Sequence, residues 1–479
     1  MKKQLLATAL SLLVFFASCS KDDNVEEEPV GPANGVVEVS GDIATATTWT
    51  ADKIYLLKGN VFVTGNSTLT IEPGTIIKGD KGTKGALIIT RGAKISAIGT
   101  VDKPIVFTSN IAAGGRSPGD WGGLILLGKG INNLGTSVPI EGISDATDKA
   151  KHGGTDNTDN SGTLKYVRVE YAGVALGPDN EINGITFGSV GSGTTVEYVQ
   201  VYRSGDDAFE WFGGAVNAKH ILAVATWDDD FDTDNGYAGK IQFGVAQRLA
   251  GVADVSGSNG FESDNISTGT PVDPKTSAVF SNMTILGPVS LASGNPTINA
   301  NYQHAAQIRR NSTISILNSV FAGYTEGVFY DDALATSTTA NSSSSFLSGA
   351  SVFANNIVAG SNGKGNQIKA SNATALAAIT AKITLNNIFS PDVYGAAFYV
   401  DPYKYSADLV ATSRIGIPNF AMSATSPAAT GALFTDAKVT DTFFEKVAYK
   451  GAFGTTDWTA GWANYNPQIL AYTTPGAVK

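Results

Sequence analysis

The sequence predicts an all-β protein, a right-handed parallel β-helix closed by an irregular C-terminal region. Three observations lead there. The 479 residues contain 54 glycines and only 16% charged residues, with Thr, Ser, Asn, Val and Ile abundant and Glu, Leu and Lys runs scarce, a composition of short strands and many turns. Short β-rich runs recur about every twenty residues, which is the mark of a solenoid. Alternating apolar positions such as Val167, Val169 and Tyr171 exclude a helical solenoid.

Residues 1–18 read as a secretory signal: Lys2 and Lys3 supply the positive start and "LLATALSLLVFF" an apolar run too short for a stable span. The chain's one cysteine is Cys19, so neither a disulfide nor a cysteine metal site is available. "FASC" resembles a bacterial lipobox, with Phe16 where a smaller aliphatic residue is usual. That resemblance implies lipid attachment at Cys19; a free thiol after ordinary cleavage is the alternative. Residues 19–35 are acidic, poor in apolar residues and closed by Pro and Gly, as in a flexible tether. Here Ser20, Lys21, Asp22 and Asp23 resemble the acidic export signal of surface lipoproteins in Bacteroidota, although a solvated charge run would look the same.

Residues 36–390 carry the repeat. Placing "LTIEPGTIIKG" (69–79) over "IITRGAKISAIG" (88–99) brings Gly74 to Gly92, Ile71 to Ile89 and Ile77 to Ile95 at an offset of 18. A second register runs through "KYVRVEYAG" (165–173), "EYVQVYRSG" (197–205) and "KHILAVATW" (219–227), the last two 22 residues apart. Four late coils follow at "SNMTILG" (281–287), "LNSVFAG" (317–323), "ANNIVAG" (354–360) and "LNNIFS" (385–390). Their Asn and Ser side chains are expected to satisfy backbone groups of neighbouring coils. Residues 391–479 are aromatic and irregular, which suits a cover over the open end of the solenoid or a docking surface. The glycine-rich "GDKGTKG" (79–85) lacks the ending of a phosphate-binding loop and reads as a turn.

The functional question lies in "TWDDDFDTDNG" (226–236), five aspartates in eleven residues. It aligns with "SGDDAFEWFGG" (204–214) at the same offset of 22, setting Asp206 on Asp228, Asp207 on Asp229, Phe209 on Phe231 and Glu210 on Asp232. A third copy, "SNGFESDN" (258–265), keeps Phe261 and Glu262 and replaces the acidic pair by Ser258 and Asn259. The phenylalanines read as an internal ladder. Like charges stacked in a sheet destabilise it, and three outcomes remain open. The acids are solvated on exposed turns. Alternatively, Asp206, Asp207, Glu210, Asp228, Asp229, Asp230, Asp232 and Asp234 hold a hard cation, calcium before magnesium, because many flexible oxygens are present; Asp228, Asp230, Asp232 and Asp234 would share a face if the segment is a strand. The third outcome is catalysis: "SGDDAF" resembles the acidic pair of polygalacturonase-type β-helix glycosidases. The other motifs of that family are missing, and no catalytic residue is assigned. "QIRR" offers Arg309 and Arg310, which could pair structural acids.

Trp211 and Trp227 flank the acids and are the candidates for stacking on a sugar, with burial in the core as the alternative. His220 starts a strand and His152 and His304 lie in polar loops, so no zinc constellation is visible. The formal charge of −10 and the lack of a basic cluster exclude nucleic acid as a natural partner. After the signal there is no apolar run of transmembrane length, which argues against a transporter.

Taken together, "TLTIEPGTIIKG", "DKPIVFTS", "DWGGLILLG", "DDAFEWFGG", "DDDFDTDNG" and "VAYKGAFG" resemble a widespread set of secreted β-helix lipoproteins of Gram-negative bacteria. The resemblance implies a lipid-anchored protein of the outer membrane, facing the cell surface, that binds a carbohydrate or an outer-membrane protein such as a TonB-dependent receptor. The alternative is a glycan-active β-helix enzyme, a polysaccharide lyase or a polygalacturonase-like hydrolase.

Overall fold

The computed structural model describes residues 35–144, 147–177, 180–289, 298–360, 366–404 and 417–479. Cys19, Lys21, Asp22 and Asp23 lie outside the described residues. From Val36 onward the chain winds into a parallel β-helix in which 27 short strands among the described residues form one continuous sheet, each paired in parallel with a strand of an adjacent coil. No helix among the described residues is long and apolar enough to cross a membrane.

Strand pairing sets the coil length. Phe209 pairs with Phe231 and Val199 with Ile221, the offset of 22 read from the sequence. The offset of 18 is not a coil. Thr68 pairs with Lys94 and Ile76 with Val106, so true neighbours near the N-terminus are 26 and 30 residues apart. Gly74 and Gly92 are successive corners of the winding chain, with φ of 87° and 88°, and the alignment matched one corner to the next. A corner glycine leaves the same local signature wherever it falls, because left-handed backbone disfavours a side chain.

Inside, stacked residues form continuous columns. One runs Val61, Leu87, Leu124, Ile185, Phe209, Phe231, Phe261, each fully buried. Its aromatic half is the expected ladder, with ring centroids 5.9 Å apart for Phe209 and Phe231 and 5.3 Å for Phe231 and Phe261. A parallel column places Phe187 under Trp211 at 5.7 Å, and Tyr237 lies against the same indole at 5.4 Å.

One corner column explains the recurring asparagines. Tyr166, Tyr198, His220, Phe243, Asn282, Asn318 and Asn355 all adopt left-handed backbone, with φ between 50° and 61°. In the late coils Asn fills this position because its short polar side chain tolerates it. In the earlier coils the aromatic rings stack on one another, Tyr198 on His220 at 4.4 Å, and that packing offsets the strain. The Asn and Ser residues beside the corner hydrogen-bond from coil to coil as expected. Met283 N donates to Ser319 Oγ (3.0 Å), Ser319 N to Asn356 Oδ1 (2.8 Å) and Asn356 N to Asn387 Oδ1 (2.9 Å).

The C-terminal region runs along a side wall, and not over the end where the sequence suggested a cover. Tyr399 bonds Thr284, the Leu433 carbonyl accepts from Asn318, and that of Asn464 accepts from Gln200. The Pro467 carbonyl accepts from Arg116, and Val478 packs with Ile54 and Ile76 of the first coils. The tail thus retraces the solenoid from late coils to early ones. It buries an outward apolar wall that includes Tyr171, Tyr202, Leu222, Val245 and Leu286 beneath Phe398, Phe420, Phe453 and Tyr465. At the last coil, helix Ala373–Ile383 buries Ile379 and Ile383 in the main core.

Candidate functional site

The outer face of the strands that carry the phenylalanine column bears the acids. In strands Phe209–Phe212, Phe231–Asp234 and Phe261–Ser263 the first residue points inward, so strand alternation turns the second outward. Glu210, Asp232 and Glu262 therefore stack in three successive coils. Just upstream, the corner residues Asp206 and Asp207 lie beside Asp228 and Asp229 of the next coil. Asp229 N donates to Asp207 Oδ1 at 2.8 Å, and Asn259 N donates to Asp229 Oδ1.

Three carboxylate triads result: Asp206, Asp207, Asp228; Asp207, Glu210, Asp232; and Asp229, Asp232, Glu262. In each, one oxygen per residue lies within 4.8 Å of the others, close enough to share a hard cation. None of these side chains is fully exposed, and Asp206, Asp228, Asp232 and Glu262 are half-buried. Asp207, Glu210 and Asp229 are 6%, 8% and 3% exposed. Burial, followed by repulsion from neighbouring carboxylates, holds Asp206, Asp207, Glu210, Asp229 and Asp232 well above the usual carboxylate range. Burial raises Asp228 to about 6 against the hydrogen bond from Ser256, and Glu262 to about 8 against the pull of Arg309. With no cation the cluster must hold protons at neutral pH.

Hydrogen bonding leaves several oxygens open. Asp228 Oδ1 and Asp232 Oδ1 have no donor. At one edge Asn183 gives its nitrogen to Glu210 Oε2 and leaves Oδ1 without a partner; at the other Gln307, stacked on Glu262, gives its nitrogen to Asp331 and leaves Oε1 likewise.

Five expectations need correction. Asp228, Asp230, Asp232 and Asp234 do not share a face, because the strand begins only at Phe231. Asp230 turns into the core, where Oδ2 accepts from Arg248 Nε (2.8 Å) and Tyr324 OH (3.0 Å), so it is half of a buried ion pair and not a cation ligand. Asp234 joins none of the triads; it accepts from Asn235 N, and repulsion from Asp264 adds to burial in raising it to about 7. Trp211 is fully buried between Phe187 and Tyr237 and cannot meet a ligand, whereas Trp227, next to Asp228, is 39% exposed. The histidines also differ from the sequence reading: His152 and His304 are buried in strands, and His220 lies within one.

Glu262 is the cation candidate that the metal set omitted. Its signal was the third copy of the repeat, which preserves the Phe-Glu pair. Arg309 binds Glu262 through Nη2 and Asp264 through Nε (2.8 Å), while Arg310 binds Asp264. These guanidiniums close the acidic wall on its C-terminal side.

Residues 41–463 match the family described as a pectate-lyase-like β-helix domain. No curated protein and no solved structure matches the chain.

Proposed function

The chain belongs to the pectate-lyase-like β-helix domain family, and from that premise we propose a calcium-dependent binding module tethered to the outer face of the outer membrane. Its ligand is a carbohydrate or an outer-membrane protein, with a TonB-dependent receptor as the natural neighbour. The observation that carries this reading is the stack of three carboxylate triads with donor-free oxygens. Calcium suits flexible oxygen ligands of mixed type, and an ion partly ligated by protein can take hydroxyl or carboxylate oxygens of a ligand. Trp227, exposed beside Asp228, offers a ring face for a sugar. Lipid at Cys19 and an export signal at Lys21, Asp22 and Asp23 would supply the placement.

Binding without turnover is favoured because the basic residue beside the acids is poorly suited to abstract a proton. Arg309 is paired with both Glu262 and Asp264, which holds its guanidinium firmly protonated. The second reading, a glycan-active enzyme, draws on the family and on carboxyls of unlike acidity along one wall, such as Asp228 at about 6 and Glu262 at about 8. The deciding experiment is calorimetry against acidic and neutral polysaccharides, with calcium and with chelator, coupled to assays for new reducing ends and unsaturated sugars. Calcium-dependent binding with intact product supports the module; cleavage moves the assignment to an enzyme.

A further inference from the structure

We infer that the last coil offers a slot for one extended strand of a protein partner, a strand with an acidic residue between two apolar ones. The slot adds a surface to the module and does not depend on the calcium reading. The outer column of Glu210, Asp232 and Glu262 continues through Gln307 and Phe329 to Lys369, where it ends in strand Ile368–Ala370. Among the described residues no strand pairs with the far edge of Ile368–Ala370, which leaves that edge free to template another chain.

The opening is one strand wide. After Ala370 the chain enters helix Ala373–Ile383 and returns as Ile388–Ser390, which adds a strand beside Ile357–Ala359 on another side of the coil. The side of Ile368–Ala370 gains none. A groove of about 300 Å³ lies there, lined by Ile368, Leu376, Thr380 and Phe389. Exposure marks the same place. Val328 and Tyr330 of the preceding coil are fully buried, while Ile368 and Ala370, stacked on them, are only half-buried.

Charge and register define the occupant. In an added strand, two inward residues would cover Ile368 and Ala370, and the residue between them would face outward about 4.8 Å from Lys369. Opposite charges at such cross-strand positions attract. The Lys369 side chain is 39% exposed, with Nζ over the Phe329 ring and 2.9 Å from Glu326. Glu326 keeps His304 as a partner at 2.7 Å when the ammonium turns toward an incoming acid. A second copy of this chain does not fit. Its first strand, Val36–Ile43, spans two sides of the coil at once, pairing with Ile54–Leu57 on one and Val61–Val63 on the other. It would meet Ile388–Ser390 before reaching the slot.

Fluorescence anisotropy of a short capped peptide, Ser-Ile-Glu-Val-Ser, with the full chain tests this against the same peptide carrying lysine for glutamate. Wild type should prefer the acidic peptide about tenfold, and Lys369→Glu should reverse the preference. Proline in place of the peptide's valine removes an N–H that strand pairing needs and should abolish binding. Thr380→Trp, which fills the groove, should abolish it too, with the melting temperature as the check on folding. No binding of either peptide at millimolar concentration overturns the slot. Equal binding of both, or a preference untouched by Lys369→Glu, overturns its placement at this edge. Self-association of the chain that Thr380→Trp abolishes gives the slot to a second copy and overturns the partner strand.

Discussion

Titrating the acidic wall without metal should weaken the fold. A carboxyl whose folded pKa is raised binds its proton more tightly in the native state, so its contribution is complete below the unfolded value and lost as pH rises through the folded one. Glu262 is raised from 4.5 to about 8 and its side chain is 15% exposed. Burial depresses His152 and His220 to about 4, and these groups act in the opposite direction up to their ordinary value of 6.5. The interval that isolates the acids therefore runs from about pH 6.5 to about pH 8. Each carboxyl still protonated there costs about 1.4 kcal/mol per pH unit as it ionises. Glu262 alone gives a loss on the order of 2 kcal/mol across the interval, and the acids held still higher add to it. The assay is urea unfolding in chelator at several pH values across that range. Calcium competes with protons for the same oxygens, so its stabilisation, about 2.7 kcal/mol at a hundredfold excess over Kd, should grow with pH. Chelated protein whose stability is flat or rises between those limits would refute the reasoning.

Phe231→Ala removes a fully buried ring from the middle of the ladder and should cost about 3–5 kcal/mol. Hydrogen exchange should rise in the coils of Phe209 and Phe261 as well as at the site, since each coil depends on its neighbours. Asp230→Asn should destabilise by about 3–5 kcal/mol, because Arg248 would remain buried without its counter-charge. Asp232→Asn, by contrast, should leave unchanged or raise the stability of chelated protein; urea midpoints of the two variants separate the roles. Cys19→Ala should release the protein from the membrane fraction, and external protease should remove the wild-type protein from intact cells; full protection of wild type would contradict surface placement.

The two readings of function differ in what the acids face, not in which acids are present. A cation on these triads would neutralise the groups that a hydrolase needs as acid and base, whereas a metal-free wall keeps carboxyls of unlike acidity available. Calcium binding therefore bears on the choice between module and hydrolase before any glycan is identified.

By itself the sequence determined the fold class, the 22-residue register that stacks Phe209 on Phe231, and the pairing of Glu210 with Asp232. Local periodicity was sufficient because in a solenoid each coil contacts its neighbours, so equivalent positions in successive repeats become stacked positions in space. Tertiary structure decided what periodicity cannot express. Gly74 and Gly92 look equivalent in sequence but are different corners, since corner chemistry repeats around a coil as well as along the stack. Asp230 and Asp232 are two residues apart in one acidic run, yet one enters the core to meet Arg248 and the other faces outward, because the strand starts between them. The course of the C-terminal region down a side wall depends on partners such as Arg116 with Pro467 and Gln200 with Asn464. Those contacts join residues hundreds of positions apart, and no local pattern encodes them.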